Sequence, residues 1–275
     1  MSTRDNMTNN NGLKEKNSFN KGMFDNKVSL ITGGARGIGY QIAKDLASQG
    51  SDIIICDIAT KQMEESCEKI RALGVRCVGY ICDVTNWEQI KAVVDKGIKE
   101  FKRIDILINN AGTIRPAEFL NMSEEDWDFL QNVDLRGLVG TTLAVAPYMI
   151  EQNYGKIVNV SSMSAFGVYM SGFASYSAAK AAVVDFTKTS ARELGRYKIN
   201  VNGVSPGEIM TELTYQDQTI EEVEIKLKRS EAMAIMGRIG QPEDVANLVL
   251  FLASDKASFI TGETINIDGG RIDRM

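Results

Sequence analysis

Tyr176 and Lys180 stand four residues apart in the run Y-S-A-A-K. On a helix, positions i and i+4 share a face and their side chains are neighbours. A free phenol titrates near ~10, and an adjacent ammonium favours the phenolate, which brings a tyrosine towards working pH as a proton donor or acceptor. A solvated helix face carries the same pair without chemistry, so its meaning depends on its surroundings. The chain has no histidine. A Ser-His-Asp triad, a histidine metal site and a histidine general base are therefore excluded, and proton transfer falls to Tyr, Lys, Asp, Glu or Cys.

The run T-G-G-A-R-G-I-G, Thr32 to Gly39, follows the apolar stretch Val28-Ser29-Leu30-Ile31 and opens a helical stretch from Tyr40 to Gln49. Glycines at a strand-to-helix turn let the backbone approach a pyrophosphate, whose charge meets the N–H groups and positive dipole end of the helix. A second apolar run, Ile53-Ile54-Ile55-Cys56, ends at Asp57. An acid at this distance from the glycines is where a dinucleotide fold binds the adenosine ribose hydroxyls.

Further motifs follow in order: Cys82-Asp83-Val84, Asn109-Asn110-Ala111-Gly112, Ser161-Ser162, Tyr176 with Lys180, and Pro206-Gly207. With this order in view, the chain closely resembles the short-chain dehydrogenase/reductase family from about Met23 to Gly270. The resemblance implies that Tyr176 exchanges a proton with the substrate oxygen while hydride passes between carbon and nicotinamide. It implies that Lys180 binds the nicotinamide ribose and lowers the tyrosine pKa, and that a serine hydroxyl holds the carbonyl oxygen. Ser162 is the expected serine, although its spacing to Tyr176 is about one residue longer than usual; Ser161 should face the other way, because neighbours in a strand alternate faces. By the same resemblance Gly33, Arg36, Gly37, Ile38 and Gly39 cradle the dinucleotide, and Asp83 and Val84 meet adenine. Asn109, Asn110, Ala111 and Gly112 line the cofactor path, while Pro206, Gly207, Ile209 and Thr211 bracket the nicotinamide amide.

One departure stands out. Asp134 occupies the place where the resemblance leads to an asparagine that orders a proton-relay water. Asn132 is close in sequence, but residues i and i+2 of a helix point in nearly opposite directions, so it takes the role only if the helix register shifts. A carboxylate at 134 near Lys180 would stabilise the ammonium and partly cancel its effect on Tyr176. Cofactor choice turns on two opposed signals: Arg36 could pair with a 2′-phosphate, whereas Asp57 would bind a free ribose and repel that phosphate. The expectation is NAD(H), with NADP less favoured, unless Arg36 neutralises Asp57.

Arg115 could reach a substrate carboxylate, in a stretch similar to family members acting on sugar acids. Tyr169, Met170, Phe173, Met210 and Met236 would make a partly apolar pocket. The reading is a secondary-alcohol dehydrogenase or ketone reductase acting on a small molecule such as a sugar acid, polyol or steroid. The alternatives are a 3-oxoacyl-thioester reductase using NADPH, and a dinucleotide-binding sensor or scaffold without turnover.

Apolar runs rich in Val and Ile recur near residues 27–32, 52–57, 75–82, 104–109, 155–161, 198–204 and 264–268, separated mostly by helical-period segments. This predicts an α/β fold: a doubly wound, Rossmann-like parallel sheet of about seven strands with helices on both faces, and the motifs gathered at the strands' carboxyl ends. At 275 residues, 44% hydrophobic and 24% charged, a single domain over 25–275 suffices, after a disordered leader at 1–24. Residues 208–237 read as a lid. Long helices are expected at Glu125 to Ile150 and Ala174 to Leu194, and Ala178, Ala181, Ala182 and Phe186 suit packing between copies; the family resemblance implies a homotetramer, with a dimer as the alternative. A net charge of −5 disfavours nucleic acid, and no apolar run is long enough for a signal peptide or membrane span, so the expected location is the cytoplasm. Cys56, Cys67, Cys77 and Cys82 show no C-x-x-C spacing and read as reduced structural thiols, and no metal site is expected.

Overall fold

Strand residues alternate between two faces, and in this chain both faces are apolar. The computed structural model describes residues 22–167, 171–215 and 219–271. Within them, β1 (Val28–Thr32), β2 (Asp52–Asp57), β3 (Cys77–Ile81), β4 (Ile106–Asn109), β5 (Gly155–Val160), β6 (Ile199–Pro206) and β7 (Thr264–Ile267) form one parallel sheet in the order β3-β2-β1-β4-β5-β6-β7. Ile31, Ile53, Ile55, Ile106, Ile108 and Val158 pack on one face, and Leu30, Ile54, Leu107, Ile157 and Val201 on the other. Burial on both sides is what makes the strands read as near-continuous apolar runs. The expected doubly wound architecture is the one observed.

On the first face lie α1 (Gly37–Ser48) and α9 (Pro242–Ala253), which contribute Ile42, Leu46, Val245, Val249 and Leu252, with α2 (Thr60–Arg71) adding Met63, Cys67 and Ile70. On the second, α3 (Trp87–Phe101) supplies Ile90, Val93, Val94 and Phe101, and α5 (Gly137–Gln152) supplies Val145 and Met149. Beside them runs α6 (Ala174–Leu194), the span predicted from sequence. The chain turns from β1 towards β2 on one side and later returns to place β4 on the other. Loops leaving β1 and β4 therefore diverge and open a crevice at the carboxyl ends.

The helix expected over 125–150 is not continuous. A capping box at Ser123 and Asp126 starts α4 (Glu124–Gln131), and a π-helical turn (Asn132–Arg136) separates it from α5. The segment read as a lid holds two helices, α7 (Glu212–Tyr215) and α8 (Ile220–Met233), the latter begun by a Thr219–Glu222 capping box. The expected leader boundary also shifts: Phe24 is 2% exposed in the core, and its N–H donates to the Gln49 carbonyl at 2.8 Å, so the packed domain includes residues before 25. Residues 1–21 of that leader, and the candidate pocket residues Tyr169 and Met170, lie outside the described residues.

Candidate functional site

The glycine turn is shaped by close backbone approach. Gly33 has φ +64°, and a Cβ there would sit 2.9 Å from Ala111 Cα; one on Gly39 would sit 2.5 Å from Asn110 Nδ2 and run into the Gly33 carbonyl. Asn110 locks this geometry, its Nδ2 donating to the Thr32 and Gly33 carbonyls at 3.1 and 2.9 Å. The Thr32 hydroxyl accepts from the N–H groups of Asn110 and Ala111, both at 3.0 Å. The turns after β1 and β4 are thus one unit. Gly37, φ +56°, is open on the cleft side, where a Cβ would meet only Thr211, at 3.6 Å. Ile38 packs back onto the core.

Asp57 ends β2 beside this cradle. Its two oxygens accept from the N–H groups of Ala35 and Ala59, each at 2.9 Å. Arg36 does not pair with it; the guanidinium instead lies 3.9 Å from Glu212 of α7, linking the glycine turn to the lid segment. Asp83 is exposed and holds the Thr85 turn, whereas Val84 is 8% exposed and packs against Gly137. Pro206 closes β6, Gly207 lies against Asp268, Ile209 is buried and bridges to Gly240, and Thr211 borders Gly37.

Helix α6 brings Tyr176 and Lys180 onto one row, with Lys180 Nζ 5.6 Å from the Tyr176 ring centroid. Phe173 meets the ring edge-on at 5.9 Å. The Ser162 hydroxyl accepts from the Ser164 N–H at 3.2 Å and lies near enough to Tyr176 to favour its phenolate, while Ser161 turns the other way and donates to the Lys180 carbonyl at 2.8 Å. The structure therefore separates the two serines as strand alternation predicts.

Asp134 completes the group. It is fully buried, its Oδ1 lies 3.5 Å from Lys180 Nζ and accepts from the Thr113 N–H at 3.0 Å. Lys180 also donates to the Val160 carbonyl at 3.2 Å. The π turn does shift the helix register, and the residue it aims at Lys180 is Asp134, leaving Asn132 half-buried.

Electrostatics correct the sequence argument about Tyr176. Burial pushes the phenol above its ordinary value and Asp134 adds to the rise; Lys180 and the neighbouring Ser162 hydroxyl favour the phenolate, but the net direction is up. Burial opposes the Lys180 ammonium, yet Asp134 and Tyr176 together raise it overall. Burial likewise raises the Asp134 carboxyl against the pull of Lys180 and the Thr113 N–H.

Beneath the cleft, Asn109 Nδ2 donates to Thr142 Oγ1 and Asn159 Oδ1, and Asn159 Nδ2 to Thr187 Oγ1, all at 2.9 Å. This buried chain ties β4 and β5 to α5 and α6, so Asn109 braces the floor instead of lining the path. Sequence reasoning did not find Asn159, Thr142 and Thr187, because each is an ordinary polar residue until the strands pair. It also missed Glu208, whose Oε2 accepts from Ser230 at 2.5 Å and whose Oε1 lies 3.4 Å from Lys226, fastening α8 to the loop after β6.

Arg115 is engaged elsewhere: Nε lies 3.1 Å from Asp126, and the guanidinium stacks 5.1 Å from the Phe129 ring. Met210 lines a cavity of about 520 Å³ with Leu227, Ile239 and Arg238. That cavity shares no lining residue with Tyr176 or Lys180. Met236 is exposed. Among the described residues, no His/Cys/Asp/Glu group is arranged for a metal, and no helix is long and apolar enough to cross a membrane.

Residues 33–271 match the family model described as enoyl-(acyl carrier protein) reductase. Over 251 residues, 90% of this chain and 99% of the relative, the sequence is 42% identical to 3-oxoacyl-[acyl-carrier-protein] reductase FabG of Thermotoga maritima. The chain is a short-chain dehydrogenase/reductase. This oxidoreductase is also 40% identical, over 90% of its length and 97% of the relative's, to the (2S)-[(R)-hydroxy(phenyl)methyl]succinyl-CoA dehydrogenase subunit BbsD of Thauera aromatica. Among solved structures it is similar to carveol dehydrogenase of Mycobacterium avium in complex with NAD, with TM-score 0.86, 29% identity, and coverage of 90% of this chain and 98% of that one. NAD⁺-bound xylitol dehydrogenase is comparable at TM-score 0.84 and 31% identity, covering 90% and 99%.

Proposed function

We propose that this short-chain dehydrogenase/reductase reduces 3-oxoacyl thioesters to the corresponding 3-hydroxyacyl thioesters, using NAD(H). The observation that carries the reading is the convergence of Ser162, Tyr176 and Lys180 at the carboxyl end of the sheet, beside the glycine cradle. The substrate class rests on the names of the similar reductases and of the thioester dehydrogenase subunit. It is preferred to the sugar acid, polyol and steroid readings; the support for a sugar acid, Arg115, is held by Asp126.

The cradle fits a dinucleotide: Gly33 and Gly39 have no room for a Cβ, and Gly37 stays open towards the cleft. A bound nicotinamide supplies the hydride. The chain's own residues do the rest. Ser162 and Tyr176 hydroxyls hold the carbonyl oxygen, Tyr176 donates its proton to it as negative charge builds, and the Lys180 ammonium stabilises the phenolate left behind. Lys180 also offers donors to a ribose. Arg36, Gly37, Ile38, Asp83, Val84, Asn110, Ala111, Gly112, Pro206, Gly207, Ile209 and Thr211 form the remaining cofactor surface. Asp57 favours a free 2′-hydroxyl, and Arg36 has Glu212 as its partner in place of a phosphate.

Exposed Ala178 and Ala181 on α6 leave a small-residue face for a second copy, in keeping with a homotetramer. The test is loss of reduced-nicotinamide absorbance with NADH and NADPH against a panel of 3-oxoacyl thioesters, sugar acids, polyol-derived ketones and steroids. Thioester turnover that vanishes in Tyr176→Phe supports the reading. Preferred turnover of another class refutes the substrate, and nucleotide binding with no turnover at all refutes the enzyme.

A further inference from the structure

Asp134, Lys180 and Tyr176 form a closed electrostatic set of one acid, one base and one phenol. Among the described residues, the carboxylate accepts from the Thr113 N–H and pairs with the Lys180 ammonium, and its Oδ2 is buried with no hydrogen-bond partner. Its charge is therefore little spent on other donors. The site is built around this contact: a Cβ on Gly112 would sit 2.5 Å from Asp134 Oδ1 and 3.2 Å from Lys180 Nζ, so only glycine leaves the pair room. The π turn at Asn132–Arg136 aims the carboxylate there, and such turns recur at functional sites. Among the described residues, the groups that meet the set from other elements are neutral: the Thr113 N–H after β4, the Val160 carbonyl of β5 and the Ser162 hydroxyl. Arg136, two residues on, turns away to Trp87 and the Thr85 carbonyl.

We propose that Asp134 is a positioning residue that balances the charge of Lys180, keeping Tyr176 a phenol ready to donate well into the alkaline range, so that alcohol oxidation, which needs the phenolate, reaches its plateau only at alkaline pH. The proposal rests on Tyr176 as the proton-transfer group. In reduction, hydride adds to the carbonyl carbon, the C=O π pair moves to oxygen, and that oxygen takes the Tyr176 proton, which solvent later restores. Oxidation reverses each step, the phenolate accepting the hydroxyl proton. Because both directions share one equilibrium, their pH profiles must move together.

The experiment is Asp134→Asn, an isosteric change that removes the charge. Difference absorbance titration of the unliganded protein against Tyr176→Phe, carried out both in the wild-type background and in the Asp134→Asn background, isolates the phenolate of Tyr176. In wild type its midpoint should lie at or above the ordinary ~10, and in Asp134→Asn it should fall by about one pH unit or more. The alkaline fall of the reductive kcat/KM and the plateau of the oxidative kcat/KM should descend by the same amount. A wild-type midpoint below ~9, which is read without the Asp134 variant, overturns the proposal; so does an unmoved midpoint in the variant. If the titration shifts as expected but Tyr176→Phe retains full turnover, the proton-transfer assignment fails while the charge balance stands.

Discussion

Replacing Asp57 with alanine tests cofactor choice and local architecture together. Asp57 is half-buried, and each oxygen accepts one backbone N–H at 2.9 Å, from Ala35 in the glycine turn and Ala59 before α2. A hydrogen bond to a charged group contributes about 1.5–3 kcal/mol when buried. With water able to reach both freed N–H groups, about 2 kcal/mol for the two together is the reasonable loss, which lowers Tm by about 4–8 °C in a domain of this size. The effect on nucleotide choice is separate. At about 5 Å and an effective dielectric of 20, a carboxylate opposes each phosphate charge by about 3 kcal/mol, reduced to about 1–2 kcal/mol by solvent in an open cleft. The ratio of kcat/KM for NADPH to that for NADH should therefore rise about 5- to 30-fold in Asp57→Ala. The assay is steady-state kinetics with both nucleotides on one thioester, beside a melting curve. A lowered Tm with an unchanged ratio would show that Asp57 only braces the turn, and the reasoning from repulsion would be wrong.

Tyr176→Phe should lower kcat/KM by about 10²- to 10⁴-fold with the melting curve little changed; a loss under tenfold would refute its role. Since burial holds the Tyr176 phenol above its ordinary value, reductive kcat/KM should stay level through neutral pH and decline as pH rises through that raised value, whereas a decline beginning near neutrality would contradict the electrostatics. Gly39→Ala forces a Cβ into the Gly33 carbonyl and against Asn110, so equilibrium dialysis should show dinucleotide affinity down at least tenfold, and wild-type affinity would refute the tight cradle. Asn159→Leu leaves the Thr187 hydroxyl and Asn109 amide short of partners, and denaturant titration should find it less stable by about 2–4 kcal/mol.

The strands, their parallel direction and the span of α6 were legible because burial on both sheet faces imposes continuous Val and Ile runs, and because the i, i+4 spacing of Tyr176 and Lys180 is a local property of one helix. The same locality separated Ser161 from Ser162. Other features were illegible for a common reason. The continuous helix expected over 125–150 is broken by a π turn, which no apolar period announces. Arg36 and Arg115 are free cations in the sequence, and only packing shows that Glu212 and Asp126 stand beside them. Even the pull of Lys180 on Tyr176, correct in sign when taken alone, is outweighed by burial and by Asp134. Sequence by itself determined which residues share an element and a face, since that follows from backbone geometry. The charges that meet across elements, and how much water remains around them, were decided by the tertiary structure, because Coulomb interaction depends on distance and dielectric, and neither exists until the chain has packed.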